Sequence, residues 1–144
     1  MAEFVLGMNA ALYQGVAGAT APGSMTLVDN VRDVTVNMEA GESDVTTRGN
    51  SGWRATAPTL RECTVEFQMV WRPGDAVFEA IKEAFLTAGT VALVALDQAH
   101  TITGAQGPLG DFAITNFTRN EALEEAIVAD VTAKLARFEE WHEA

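Results

Sequence analysis

The sequence predicts a mainly β protein of the α+β class: a small antiparallel β-sandwich or barrel with one flanking α-helix over about residues 75–88. Several segments alternate apolar and polar residues with the period of two of a strand. Only one segment combines helical spacing with a recognisable start and end. Because strands precede and follow that helix, we expect it to lie against one face or end of the sheet.

The first two predicted strands differ in strength. Residues Ala2–Val16 alternate weakly and run into a loop of small residues over Gly15–Ser24. Over Val31–Met38, valine and methionine alternate regularly with polar residues. We therefore expect this second strand to place its apolar face on a core and its polar face toward solvent.

A long polar inter-strand loop over about residues 39–58 follows. It far exceeds the usual hairpin connection of about 2 to 5 residues, so we expect it either to be disordered or to bind a partner. The strand after it has the longest alternation in the chain and is expected to be central. Its apolar positions are Cys63, Val65, Phe67, Met69 and Trp71, and its polar positions are Glu62, Thr64, Glu66 and Gln68.

The predicted helix has clear signals at both ends. Pro73 and Gly74 break the preceding strand, Asp75 is a favourable N-cap, and Gly89 ends the helical spacing. The apolar run Thr90–Leu96 then predicts a strand covered on both faces.

The rest of the chain predicts a loop over Asp97–Leu109 and a strand over Gly110–Arg119. The segment Glu121–Phe138 fits both a helical stripe and a strand face. Its β-branched residues favour a strand from Ile127 onward. We expect a single domain over residues 1–144, with a flexible N-terminus over about 1–28 and a flexible acidic C-terminal tail over about 139–144.

Composition excludes several classes of function. The net charge of −11 argues against attraction to nucleic-acid phosphates. A lone cysteine, Cys63, excludes an internal disulfide framework and a multi-cysteine zinc site. The longest uncharged apolar run, Thr90–Leu96, is far shorter than the roughly 20 residues of a membrane helix. With no secretory signal pattern at the start of the sequence, we expect a cytosolic site of synthesis and no membrane partner.

No catalytic constellation emerges from the residues. The segment Gly49–Trp53 is similar to the surroundings of a serine nucleophile, but Ser51 would need a nearby histidine as general base. His100 and His142 are the only histidines, and their distance in sequence from Cys63 lacks zinc-ligand spacing. We therefore predict no catalytic residue, no cofactor and no metal site.

The run Asn30–Arg48 followed by Gly52–Arg54 resembles the major tail tube proteins of tailed bacteriophages. The similarity continues through the strand Arg61–Trp71, the helix Asp75–Ala88 and the segment Asp111–Phe117. The resemblance implies a small β-sandwich with one flanking helix, six copies of which form a ring. Stacked homohexameric rings would make a tube through which double-stranded DNA passes without specific binding.

The resemblance also implies sites and partners. The candidate lumen face consists of Glu62, Thr64, Glu66 and Gln68, for which an ordinary solvent face is the alternative. The candidate inter-subunit loop residues are Glu42, Asp44, Arg48, Trp53 and Arg54, although intrachain roles are open for both arginines. Implied partners are the tape-measure protein, the tail terminator and distal tail or baseplate proteins, and the implied location is the virion tail, after synthesis in the host cytoplasm.

Two alternatives stay open at the level of sequence. A tube subunit of the type VI secretion class is similar in fold and assembly but carries effectors instead of DNA. A monomeric ligand-binding or hydrolytic module would instead use the polar loop to hold a ligand, or Ser51 as a nucleophile.

Overall fold

The computed structural model describes residues 6–144, so the first part of the predicted strand Ala2–Val16 lies outside the described residues. The described part of the chain holds seven strands and one α-helix. In chain order they are β1 (Ala11–Val16), β2 (Thr26–Leu27), β3 (Val31–Asp44), β4 (Thr56–Val70), α1 (Ala76–Thr87), β5 (Thr90–Leu96), β6 (Gln106–Asn120) and β7 (Val128–Glu143). The predicted mainly β fold with one helix is confirmed.

All seven strands belong to one sheet in the order β2-β1-β5-β6-β7-β4-β3. Every neighbouring pair is antiparallel. The strand from Ile127 onward that we favoured over a helix is confirmed as β7, because its backbone pairs with β4 on one side and with β6 on the other. β4, predicted as central, is instead next to the edge strand β3, and it has β7 as a second neighbour only from Thr64 onward.

The sheet folds over on itself like a small sandwich. Although β1 and β3 are far apart in strand order, Leu12 of β1 and Val34 of β3 line the same cavity. The long strands β6 and β7 make the bend possible, since their pairing shifts register at three places between Leu109 and Asn116. Such irregularities bend a strand and increase its twist.

The main core lies between the two layers and under α1. Alternate residues of β4 supply one wall, since Cys63, Val65, Phe67 and Met69 are all buried. Phe78 and Ile81 of α1 close the core from outside. A smaller apolar cluster lies elsewhere in the fold and consists of Tyr13, Val94, Leu96 and Leu109.

Helix α1 begins and ends close to the predicted residues. The carboxylate of Asp75 accepts a hydrogen bond of 3.1 Å from the amide of Phe78, so it caps the first turn. The left-handed residue at the other end is Ala88, with φ of 57°, rather than Gly89. The amide of Gly89 instead donates to the carbonyl of Ala84 and satisfies it. At 12 residues, the helix is too short to cross a bilayer.

The predicted loop over 39–58 is wrong in its extent. β3 continues to Asp44 and β4 begins at Thr56, so only residues 45–55 connect them. Ala40 pairs with Arg61, and the next pair is Glu42 with Pro58. The step between these pairs is two residues on β3 and three residues on β4. This bulge, next to Gly41 and Pro58, breaks the period of two and hides the continuation of the strands from sequence-based reasoning.

Strands occupy much of the two ends that the sequence predicts to be flexible. Residues 139–143 are the last part of β7 and pair with the start of β6, and Ala144 exchanges backbone hydrogen bonds with the neighbouring loop. At the other end, β1 and β2 are paired strands, and Leu12 and Val28 are buried. The predicted loop Asp97–Leu109 is shorter, because β6 starts at Gln106.

Candidate assembly surfaces

The polar positions predicted on β4 lie on one face of the sheet, opposite the buried core residues. Glu62 and Glu66 are exposed, while Thr64 and Gln68 are half-buried between neighbouring strands. The structure therefore brings all four predicted side chains together along one strand.

This polar face extends over four strands. The register places Thr35 of β3, Glu66 of β4, Thr132 of β7 and Asn116 of β6 in one continuous row. We define the polar face as Asp33, Thr35, Asn37 and Glu39 of β3, Glu62, Thr64, Glu66 and Gln68 of β4, Asp130, Thr132 and Lys134 of β7, and Asn116, Thr118 and Asn120 of β6.

The polar face is acidic and internally hydrogen-bonded. It carries five carboxylates and one ammonium group, a net charge of −4. Asp130 ties three strands together, because its two oxygens accept hydrogen bonds from Gln68 at 3.0 Å and from Asn120 at 2.7 Å. The face is thus fixed in position and presents excess negative charge.

Both edges of this four-stranded face lack a strand neighbour over part of their length. β3 is the last strand of the sheet and pairs only with β4. At the other side, β5 pairs with β6 only over residues 109–113, so the remaining part of β6, up to Asn120, has no strand on its outer edge within the described chain. Unpaired strand edges are templates for pairing with another chain.

The ends of β3 and β4 form a two-stranded arm, which we define as residues 39–63. β4 pairs with β7 only from Thr64 onward, so the preceding part of β4 pairs with β3 alone. At its tip, the amide of Val45 donates to the carbonyl of Ala55, and the Thr46 hydroxyl accepts from the amide of Ala55. The arm therefore has a hydrogen-bonded end.

The predicted inter-subunit residues all lie on this arm. Glu42 and Asp44 are in β3, opposite Pro58 and Thr56. Hydrogen bonds from the side chain and the amide of Thr46 lower the pKa of Asp44 below its ordinary value. Arg48 lies in a short 3-10 turn, and Trp53 and Arg54 follow it.

The tip also exposes its largest residue. Trp53 is 76% exposed, and its backbone is held by Asn50, whose side-chain amide donates to the Trp53 carbonyl at 2.9 Å. Among residues 6–144, no carboxylate lies within 4.0 Å of the guanidinium of Arg48 or Arg54. Sequence-based reasoning missed Leu60, an arm residue that is 85% exposed.

The apolar side of β3 is not covered as predicted. Val34, Val36 and Met38 are 37%, 39% and 49% exposed, although they pair with buried residues of β4. The reason is that β3 is an edge strand and that an open cavity separates Val34 and Val36 from β1 in the second layer. The alternation identified the face correctly, but it could not predict how well that face would be covered.

The candidate nucleophile Ser51 lies at the arm tip, in a left-handed turn with φ of 53°. His142 belongs to β7, where its imidazole is 3.5 Å from a Glu140 carboxylate oxygen. His100 packs edge-on against Tyr13, with ring centroids 5.2 Å apart. Each histidine thus has a packing or polar partner in its own part of the fold. Among the described residues, no three His, Cys, Asp or Glu side chains are grouped as metal ligands would be.

Most of the polar face was missed from sequence. The alternation of β3 predicted that its polar residues face solvent. No pattern within β3 indicated that they lie beside the polar residues of β4. Asp130, Thr132 and Lys134 lie in the segment whose helix or strand character was ambiguous. The missing signal was the strand pairing, which is non-local.

Comparison with known proteins supports the same interpretation. A family model described as phage tail tube protein matches residues 12–136. No curated protein sequence matches the chain at a significant level.

Solved structures with the same fold come from gene transfer agent particles and from the SPP1 tail tube. One is the tail of an empty gene transfer agent particle determined with C6 symmetry, with 15% identity, a TM-score of 0.72, and coverage of 96% of this chain and 98% of the other. A second, from the virion of a native gene transfer agent, has 15% identity, a TM-score of 0.70, and coverage of 92% and 97%. The SPP1 tail tube has 15% identity, a TM-score of 0.76, and coverage of 98% of this chain and 80% of the other.

The family match spans most of the chain, and the matched region contains the polar face, both open edges and the whole arm. Of the tube classes that the sequence left open, the match selects the phage tube over the secretion tube. This chain belongs to the phage tail tube protein family and is a structural subunit of a phage tail tube.

Proposed function

We propose that copies of this chain join edge to edge into hexameric rings, that the rings stack into a tube, and that the polar face lines the channel through which DNA passes. One observation carries the proposal: a four-stranded acidic face has an open strand edge on each side. The C6 symmetry of the gene transfer agent tail supports six copies per ring.

Strand direction supports closure of the ring. β6, β7, β4 and β3 alternate in direction, so the two edge strands run opposite ways. β3 of one copy beside β6 of the next is therefore antiparallel, like every other pair in the sheet. The new ladder satisfies backbone groups that are unpaired in a single copy.

The size of the resulting channel suits DNA. Six copies of four strands give about 24 strands, and at about 4.8 Å between strands the diameter is about 37 Å before strand tilt widens it. Side chains on the polar face narrow this opening but leave room for a double helix.

Charge explains how DNA passes without binding. With a net charge of −4 on each copy of the polar face, a ring presents a strongly negative wall. Affinity for DNA depends on cationic groups that displace counterions from phosphates, and this wall has few of them. The wall repels the phosphates instead of holding them.

The arm serves the contact between stacked rings. A two-stranded ribbon is marginally stable by itself, and this one exposes Trp53 and Leu60. Large aromatic residues often anchor interfaces, so Trp53 inserts into the neighbouring ring in the proposed tube. Arg48 and Arg54 pair there with acidic groups of the neighbour and help to set the register.

Other partners follow from the place of a tube in a virion tail. The expected partners are the tape-measure protein, the tail terminator and distal tail or baseplate proteins, which the family resemblance implies. The chain is made in the host cytoplasm before assembly, has no catalytic role and needs no cofactor.

The test is charge reversal on the two sides of the sheet. Glu66→Lys alters the polar face, and Glu83→Lys makes the same charge change on α1, which packs on the other side. Purified protein is assembled, imaged by electron microscopy and mixed with linear DNA. Glu66→Lys changes the net charge of the polar face from −4 to −2, so the wall repels DNA less strongly. We expect tubes from all three proteins, and at low salt more DNA retained by the Glu66→Lys tubes than by the other two. Equal retention by both variants, or no rings from the unaltered chain, would contradict the proposal.

A further inference from the structure

An apolar stripe lies beside one open edge of the four-stranded face. Val34 and Val36 of β3 are more than one-third exposed, and they line a cavity of about 250 Å³ that opens between β1 and β3. Leu12 and Trp141 form other parts of its wall. Such apolar exposure along an edge strand is a liability unless another surface covers it.

A second apolar group lies beside the opposite open edge. Phe85 of α1 is 40% exposed and stacks on Phe117 of β6, with ring centroids 6.2 Å apart and an interplanar angle of 26°. Phe117 is in the part of β6 that β5 does not cover. Leu86, the next residue of α1, is 67% exposed.

Both groups lie on the same side of the sheet. Val34 and Val36 pair with Phe67 and Val65 and so project to the core side, away from the polar face. Phe117 pairs with Val131, which is buried in the same core. We place β3 of one copy beside β6 of another so that their polar faces are continuous. Val34 and Val36 of the first copy then meet Phe85 and Leu86 of the second copy on the core side of the new strand pair.

We infer that Phe85 and Leu86 of one copy cover Val34 and Val36 of the next copy and close the cavity between β1 and β3. The inference rests on the proposed edge-to-edge ring and adds an apolar seam to its backbone ladder. A cavity of 250 Å³ accepts a phenyl ring, since an apolar cavity of about 150 Å³ in another protein holds benzene. The contact is head-to-tail, with different residues on its two sides, as a ring requires.

Cysteine cross-linking tests the seam with small substitutions. In a Cys63→Ala background, one chain carries Val36→Cys and Phe85→Cys together, and two further chains carry one change each. Assembled tubes are treated with a short bifunctional thiol reagent and dissolved in denaturant. We expect a ladder of covalent multimers from the double variant, ending at the ring size, and none from either single variant alone. Mixed tubes of the two single variants should give dimers.

The matched control chain carries Val16→Cys and Phe85→Cys. Val16 is on β1 and is 84% exposed, and this chain should give no ladder of covalent multimers. If the double variant forms tubes but gives no cross-links, the proposed seam is wrong, whereas the proposed edge-to-edge ring is not contradicted. Cross-linking of the control pair to the same extent would also overturn it. If the unaltered chain forms neither rings nor tubes, the proposed function fails and the seam with it.

Discussion

Glu39 of β3 and Glu62 of β4 lie directly opposite each other in the sheet, at the point where the arm leaves the polar face. Like charges in such a cross-strand pair repel each other. The next paired row toward the core contains Asn37, Thr64 and Lys134, but the Lys134 ammonium group is not within 4.0 Å of either carboxylate. The pair thus lowers the stability of the single chain while adding two negative charges to the proposed channel wall.

Glu62→Gln removes this repulsion with little change in shape. We expect the free energy of unfolding to rise by roughly 0.2–1 kcal/mol, the usual range for a cross-strand pair, as measured by urea unfolding of the monomer at low salt. The gain should shrink at high salt because the charges are screened. Glu83→Gln on α1 is the control, with no comparable gain expected. A lower stability of the Glu62→Gln chain would contradict the argument.

Gly107 is expected to be intolerant of any side chain. A Cβ atom at this position would overlap the backbone carbonyl of Ala95 on β5, and neither backbone can move without breaking the sheet. We expect Gly107→Ala to destabilise the chain by about 3 kcal/mol or more. Gly23→Ala, where no atom lies within 4 Å of the added Cβ, should change stability by less than about 0.5 kcal/mol. Equal thermal unfolding temperatures for the two variants would contradict the close approach of Gly107 to the Ala95 carbonyl.

Trp53→Ala should separate folding from assembly. Because the indole is 76% exposed at the arm tip, its loss should leave the thermal unfolding of the monomer unchanged. Tube formation should fall strongly, since the proposed contact between rings loses its largest anchor. Sedimentation of assembled material measures the effect. Val16→Ala, at another highly exposed apolar position, is expected to assemble normally, and normal assembly of Trp53→Ala would remove Trp53 from the interface.

The thiol of Cys63 should be protected in the folded chain. Burial raises the pKa of Cys63 above its ordinary value of 9.0, and its side chain is 2% exposed. Alkylation in native buffer should therefore be slow and should accelerate on unfolding in urea.

The pH dependence of stability follows from the same burial. Above about pH 9, the unfolded chain loses the thiol proton while the folded chain keeps it, so the contribution of Cys63 to stability declines as pH rises. Cys63→Ala should flatten this part of the alkaline stability curve. An unchanged curve, or rapid labelling of the native chain, would contradict the buried position.

Local periodicity identified much of this fold in advance. The alternation from Glu62 to Met69 predicted which side of β4 is buried and which is polar, because each strand residue points opposite to its neighbours. The cap at Asp75 and the spacing of α1 predicted the single helix for a similar reason. These features depend on residues that are close in sequence.

The sequence by itself thus determined the strand faces of β4, the helix, the acidic charge and a recognisable family resemblance. Only the tertiary structure decided that the arm is a paired ribbon, that residues 139–143 extend β7, and that the polar face spans four strands. It also decided that Val34 and Val36 remain half-exposed at an edge. The physical reason is that strand pairing, and the packing of one layer on another, bring together residues that are far apart in the chain. A single bulge, or a strand at the edge of the sheet, changes which residues are paired or buried without changing the local alternation of apolar and polar residues.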